Sequence, residues 1–130
     1  MYQYTAFCLA LLYCITSWGA SHHPQQFLNS IRGQKNEGQL IFKEFCAACH
    51  AIKPDIELNA PKIGLAKDWL PRLEQGTGLL LQHTVDGYGA MPARGGCFEC
   101  TDEQLMLAIE SMLPKIEKPT SEHKESLKNT

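Results

Sequence analysis

The first 31 residues contain no Lys, Arg, Asp or Glu; the first charge along the chain is Arg32. Within them the unbroken apolar run Ala6–Ile15 has ten residues, short of the ~20 that an ordinary bilayer span needs. Excess positive charge is also missing. Twelve Lys/Arg against fourteen Asp/Glu leave a net charge of −2, which excludes phosphate-driven nucleic-acid binding as the default and favours no strongly charged partner. A chain that is 44% apolar and 20% charged is neither disordered nor collagen-like. Its 130 residues allow one domain. No internal repeat and no strand-like alternation interrupt it, so the expected fold class is all-α.

Ten apolar residues are the length of a signal-peptide core. Small residues follow at Ser17, Gly19, Ala20 and Ser21, and cleavage after Gly19 would put Ser17 and Gly19 where a signal peptidase needs small side chains. The expected organisation is therefore a signal peptide (1–19), a polar flexible leader arm (20–36), a folded domain (37–114) and a charged flexible tail (115–130). The missing basic residue before the apolar core leaves a second reading, an uncleaved membrane anchor over residues 2–20. Cleavage would remove Cys8 and Cys14 and leave four cysteines in an oxidising, periplasmic compartment.

Glu37–Cys46 has helical spacing, with Leu40, Ile41, Phe42 and Phe45 on one face. Residues 51–64 read as a loop. A short helix is expected over Ala66–Gln75, where Pro71 is tolerable only in the first turn, and another over Thr77–Asp86, stopped by Gly87. Tyr88–Cys100 reads as an extended loop. Thr101-Asp-Glu-Gln104 is a capping box, and Leu105, Ala108, Ile109 and Met112 give the last helix its apolar stripe.

Cys46-Ala-Ala-Cys49-His50 carries the chemistry. Two thiols separated by two residues reach both vinyl groups on one edge of a haem, and the following histidine is directed at the iron as proximal ligand. A structural disulfide or half a zinc site is the plainer alternative. For the sixth ligand the candidates are Met91, Met106, Met112, His83, His22, His23 and His123. Met106 and Met112 fall on or near the apolar face of the last helix, whereas Met91 sits in a Gly-rich loop with no stripe to belong to, which favours it; His83 is its rival.

Cys97-Phe-Glu-Cys100 is followed by Thr101 rather than His, so it is no second haem site. In an oxidising compartment it reads as a disulfide bracing the loop against the last helix. A redox-active dithiol lacks the expected βαβ pattern. A zinc site built from both cysteine pairs would separate them by far more than the usual 15–20 residues.

From Gly38 to Leu113 the sequence resembles the class I c-type cytochromes, and specifically the cytochrome c5 family. The narrow part of the match is the run Asp86-Gly-Tyr-Gly-Ala-Met-Pro-Ala-Arg-Gly-Gly-Cys-Phe-Glu-Cys-Thr-Asp-Glu-Gln-Leu105. The resemblance implies one covalently attached haem c and His50/Met91 axial ligation. In Asn59-Ala-Pro61-Lys-Ile-Gly64 it implies that the Pro61 carbonyl accepts the hydrogen bond of the axial histidine. Trp69 and Tyr88 match aromatics at or near the haem. Gly38 and Phe42 match the first helix where it crosses the last. Relatives often carry an aromatic near Ser111, so a somewhat weaker crossing is expected here. The resemblance further implies a one-electron carrier rather than an enzyme, with redox protein partners such as a membrane respiratory complex or an oxidase, no nucleic acid, and membrane contact only if the N-terminal segment is uncleaved.

Overall fold

Pro24 opens a helix that the sequence pattern had hidden. In the structure, a computed structural model describing residues 23–115, α1 runs Pro24–Ile31. Proline fits the first helical position, where its missing N–H costs nothing and its φ is already helical. Leu28 is fully buried, Ile31 nearly so, and the Phe27 ring lies 6.3 Å from that of Phe45. The expected flexible leader arm 20–36 is therefore corrected from residue 24 onward: Phe27, Leu28 and Ile31 recur at i, i+1 and i+4 and pack into the core. The segments expected as signal peptide (1–19) or anchor (2–20), Cys8, Cys14, His22, His123 and the tail after Lys115 lie outside the described residues.

Helix α2 (Glu37–Ile41) runs into a π turn (Phe42–Cys46) and then α3 (Ala47–His50). A helix is found where Glu37–Cys46 predicted one, but its last turn is widened: the Ala47 N–H reaches back five residues to Phe42 O. α4 spans Ala66–Leu73, shorter than the expected 66–75. Pro71 lies in its second turn rather than its first, and the helix ends two residues later, where Gly76 N–H bonds Leu73 O at 2.9 Å. α5 keeps its expected limits, Thr77–Asp86, between two glycines with positive φ, Gly76 and Gly87. α6 (Asp102–Met112) starts on the expected capping box, with Thr101 Oγ1 accepting from Gln104 N–H and Gln104 Oε1 accepting from Thr101 N–H. No strand occurs among the described residues; Tyr88 and Met91 form an isolated antiparallel bridge.

α2 crosses α6 at Gly38. A Cβ there would stand 2.2 Å from Leu107 O, so the two backbones meet at a distance only glycine permits. Ser111 does not leave the crossing bare: its hydroxyl donates to Ala108 O (2.7 Å) and lies 3.3 Å from Gly38 O on the facing helix. A second polar link is buried beside it. Glu37 Oε1 accepts from Gln104 Nε2 (2.8 Å) while Oε2 accepts from Gly33 N–H (2.7 Å). This carboxylate ties the turn after α1 to the cap of α6. Around these links Leu28, Ile31, Ile41, Leu105, Ala108 and the Cys97–Cys100 pair form one apolar cluster. Trp69, Leu80, Ile109 and Met112 form the other.

Candidate functional site

The second cluster is where the chemistry gathers. Cys46, at the end of the π turn, packs against it together with Phe42, Ile63 and Leu73. Burial, aided by neighbouring Cys49, pushes the Cys46 thiol up to about 11, so the group is a neutral, apolar-facing thiol at neutral pH. Cys46 and Cys49 are free, although they share the spacing of Cys97 and Cys100, whose sulfurs are bonded at 2.00 Å. The local backbone separates the pairs: Cys46 and Cys49 lie along the π turn and α3, while Cys97 and Cys100 bend around a turn just before α6.

His50 is the last residue of α3 and is buried. Its Nδ1 lies 2.7 Å from Pro61 O. A carbonyl can only accept, so Nδ1 carries the proton and Nε2 keeps its lone pair for a metal. The loop that supplies Pro61 is itself clamped. Lys62 N–H donates to Asp68 Oδ2 (3.0 Å), and Lys62 O accepts from Trp69 Nε1 (2.8 Å). Ile63 N–H returns to His50 O (2.8 Å), and Gly64 N–H to Met112 O (2.8 Å). The Trp69 ring then stacks beside His50, centroids 6.4 Å apart. The structure thus brings together Cys46, His50, Pro61 and Trp69. Asp68 was not anticipated; its only signal in the sequence is an acid in the first turn of a short helix.

Met91 is half-buried on a separate loop whose end, the turn Ala93–Gly96, packs against α5 and the π turn. Tyr88 and Met91 exchange both backbone hydrogen bonds, at 3.1 and 3.0 Å, closing a two-residue turn in which Gly89 supplies a positive φ. Gly87 is required: a Cβ would lie 2.9 Å from Met91 O. Arg94 adopts φ 57°, uncommon for a residue with a Cβ. Its guanidinium donates to Cys100 O (2.6 Å) and pairs with Asp102 (2.8 Å), fastening the loop to the start of α6. Tyr88 stands apart from Trp69, 66% exposed and stacked on His83. Met112 is buried and Met106 half-buried in α6.

Two free cysteines in C-x-x-C spacing, a histidine with a fixed tautomer directly after them, and an apolar cluster against one of the thiols fit a haem attached through thioethers. Cys97 and Cys100 are bonded to each other and offer no thiolates, which counts against the four-cysteine zinc reading. A helical domain with this histidine and cysteine arrangement is that of a class I c-type cytochrome.

The comparisons agree. A family model described as cytochrome c oxidase, cbb3-type, subunit III matches residues 33–110. Cytochrome c5 of Azotobacter vinelandii is 37% identical over 82 residues, covering 62% of this chain and 95% of that protein. Cytochrome c-555 of Prosthecochloris aestuarii is 33% identical over 87 residues, covering 61% and 85%. Among solved structures, a chain from the crystal structure of an electron transfer complex of nitrite reductase with cytochrome c aligns with a TM-score of 0.52 at 37% identity, covering 58% of this chain and 89% of that one. The chain belongs to the cytochrome c5 family of class I c-type cytochromes. It carries one covalently bound haem c and is an electron-transfer protein rather than an enzyme.

Proposed function

We propose that this protein shuttles single electrons between respiratory partners, with His50 and Met91 as the axial ligands and Cys46 and Cys49 as the thioether attachments. The observation that carries the reading is the 2.7 Å contact between His50 Nδ1 and Pro61 O, which leaves Nε2 free as a ligand atom. A haem held this way supplies a one-electron Fe(III)/Fe(II) couple. The residues do the rest. Pro61 holds the His50 proton at Nδ1 and so makes the ring a stronger donor. The Met91 thioether, soft and uncharged, favours the ferrous state, as do the apolar walls around Trp69. With both axial positions filled, no site remains for substrate or O₂, so a peroxidase-type activity is disfavoured. His83, engaged with Tyr88, is less suited than Met91 to the sixth position.

The Cys97–Cys100 disulfide belongs to the mature, exported protein in this reading, and Tyr88 belongs to the Met91 side of the site. The apolar, charge-free N-terminus supports export to the periplasm with cleavage after Gly19; the anchor over residues 2–20 is the alternative. No helix among the described residues is long and apolar enough to cross a membrane. The related cytochrome solved in complex with nitrite reductase supports a redox enzyme as electron acceptor; a membrane respiratory complex or an oxidase fits the same role.

Carbon monoxide tests the closed iron. The ferrous holoprotein is expected to leave its spectrum unchanged under carbon monoxide, and Met91→Ala to bind it. Ready binding by the unaltered protein would overturn the carrier reading in favour of an open site.

A further inference from the structure

The electron-transfer reading given above gives the His83–Tyr88 stack itself no task, and its placement is not explained by burial. Tyr88 is 66% exposed, so little hydrophobic free energy fixes it. Yet its ring lies face to face with that of His83, centroids 4.4 Å apart and planes 26° from parallel. His83 belongs to the last turn of α5. Tyr88 sits between Gly87 and Gly89, both at positive φ (86° and 60°), a conformation that glycine adopts easily. Tyr88 is also the residue that exchanges both backbone hydrogen bonds with Met91. The far end of the same loop is fastened by Arg94 to Cys100 and Asp102. Met91 therefore lies between two tethers, one ionic and one aromatic.

We propose that His83 and Tyr88 form a positioning pair that holds the Met91 loop closed and so resists displacement of the methionine thioether by other ligands. This rests on the reading of Met91 as axial ligand. The stack acts through the backbone bridge: a ring fixed on α5 fixes Tyr88, which fixes the peptide groups on either side of Met91.

The test is a titration of the ferric holoprotein with imidazole at fixed pH, which competes with the thioether for the iron. The weak long-wavelength ferric absorption band that reports an iron–methionine bond reads the competition. His83→Ala and Tyr88→Ala are each expected to bind imidazole about 2- to 13-fold more tightly, the ratio that loss of one aromatic pair corresponds to. The double variant should bind no more tightly than the stronger single one, because both remove the same contact. Tyr88→Phe, which keeps the ring, should stay within about twofold of the unaltered protein. Unchanged affinity in both alanine variants, additive effects, or a gain in imidazole affinity in Tyr88→Phe equal to that in Tyr88→Ala would overturn the proposal. An unaltered protein with no band at all would instead overturn the Met91 ligation on which it stands.

Discussion

At Gly38 a single hydrogen in place of a side chain decides how closely α2 and α6 meet. A methyl there would sit 2.2 Å from Leu107 O, against backbone that cannot rotate away. Gly38→Ala is expected to cost about 3 kcal/mol or more, since overpacking against rigid neighbours separates the helices; thermal or urea unfolding of the holoprotein would show it, and an unchanged midpoint would contradict the crossing as described. The role of Gly38 was legible because a small residue at a known crossing is a recognisable pattern. Asp68 was not. Its carboxylate matters only because the loop brings Lys62 N–H to it, and no local spacing announces that. The place of Ser111 also needed the fold: its hydroxyl lies 3.3 Å from Gly38 O on the facing helix. Tyr88 shows the same limit, since the α5 residue it stacks on, His83, lies on an element whose packing the sequence does not state.

Among the elements, α6 was the most legible and α1 the least. The capping box specifies the start of α6 by local hydrogen bonding alone. Thr101→Ala is expected to destabilise the protein by about 1 kcal/mol, measurable by urea denaturation. The same end of α6 has a pH signature. The exposed Glu103 carboxyl is held below the usual carboxylate range by its own backbone N–H and by the Thr101 side chain. A carboxyl whose pKa is lower folded than unfolded contributes stability above its unfolded value, about 4.3, and loses it as pH falls through the folded value. Stability of the unaltered protein should therefore drop more on acidification through this window than that of Glu103→Gln. A parallel loss in both would contradict the assignment. α1 escaped notice because its three core residues stand among glutamines, histidines and asparagines, and next to a long uncharged stretch that suggests export. The widening at Phe42–Cys46 escaped for another reason: a π turn keeps nearly the same apolar spacing as an α turn, yet it sets the direction in which Cys46, Cys49 and His50 point.

For the molecule as a whole, the consequence of α1 is that the packed core includes residues 24–31, ahead of the expected start at 37. Leu28→Ala tests this directly. Leu28 is fully buried against Ile41 and the Cys97–Cys100 pair, so truncation is expected to cost about 2–5 kcal/mol, whereas in a flexible arm it would cost nothing measurable by calorimetry. The overall architecture then has a simple division. One apolar cluster, with the bonded cysteine pair and the Glu37–Gln104 link, holds the helices together. The other, which includes Trp69, lies against Cys46 and His50. The central claim is that the iron is closed on one side by His50 and on the other by Met91. The ferric spectrum of the purified holoprotein measures it most directly. The account predicts a low-spin species with a weak long-wavelength band from the iron–methionine bond that Met91→Ala abolishes; a band that survives Met91→Ala, or none in the unaltered protein, would contradict it.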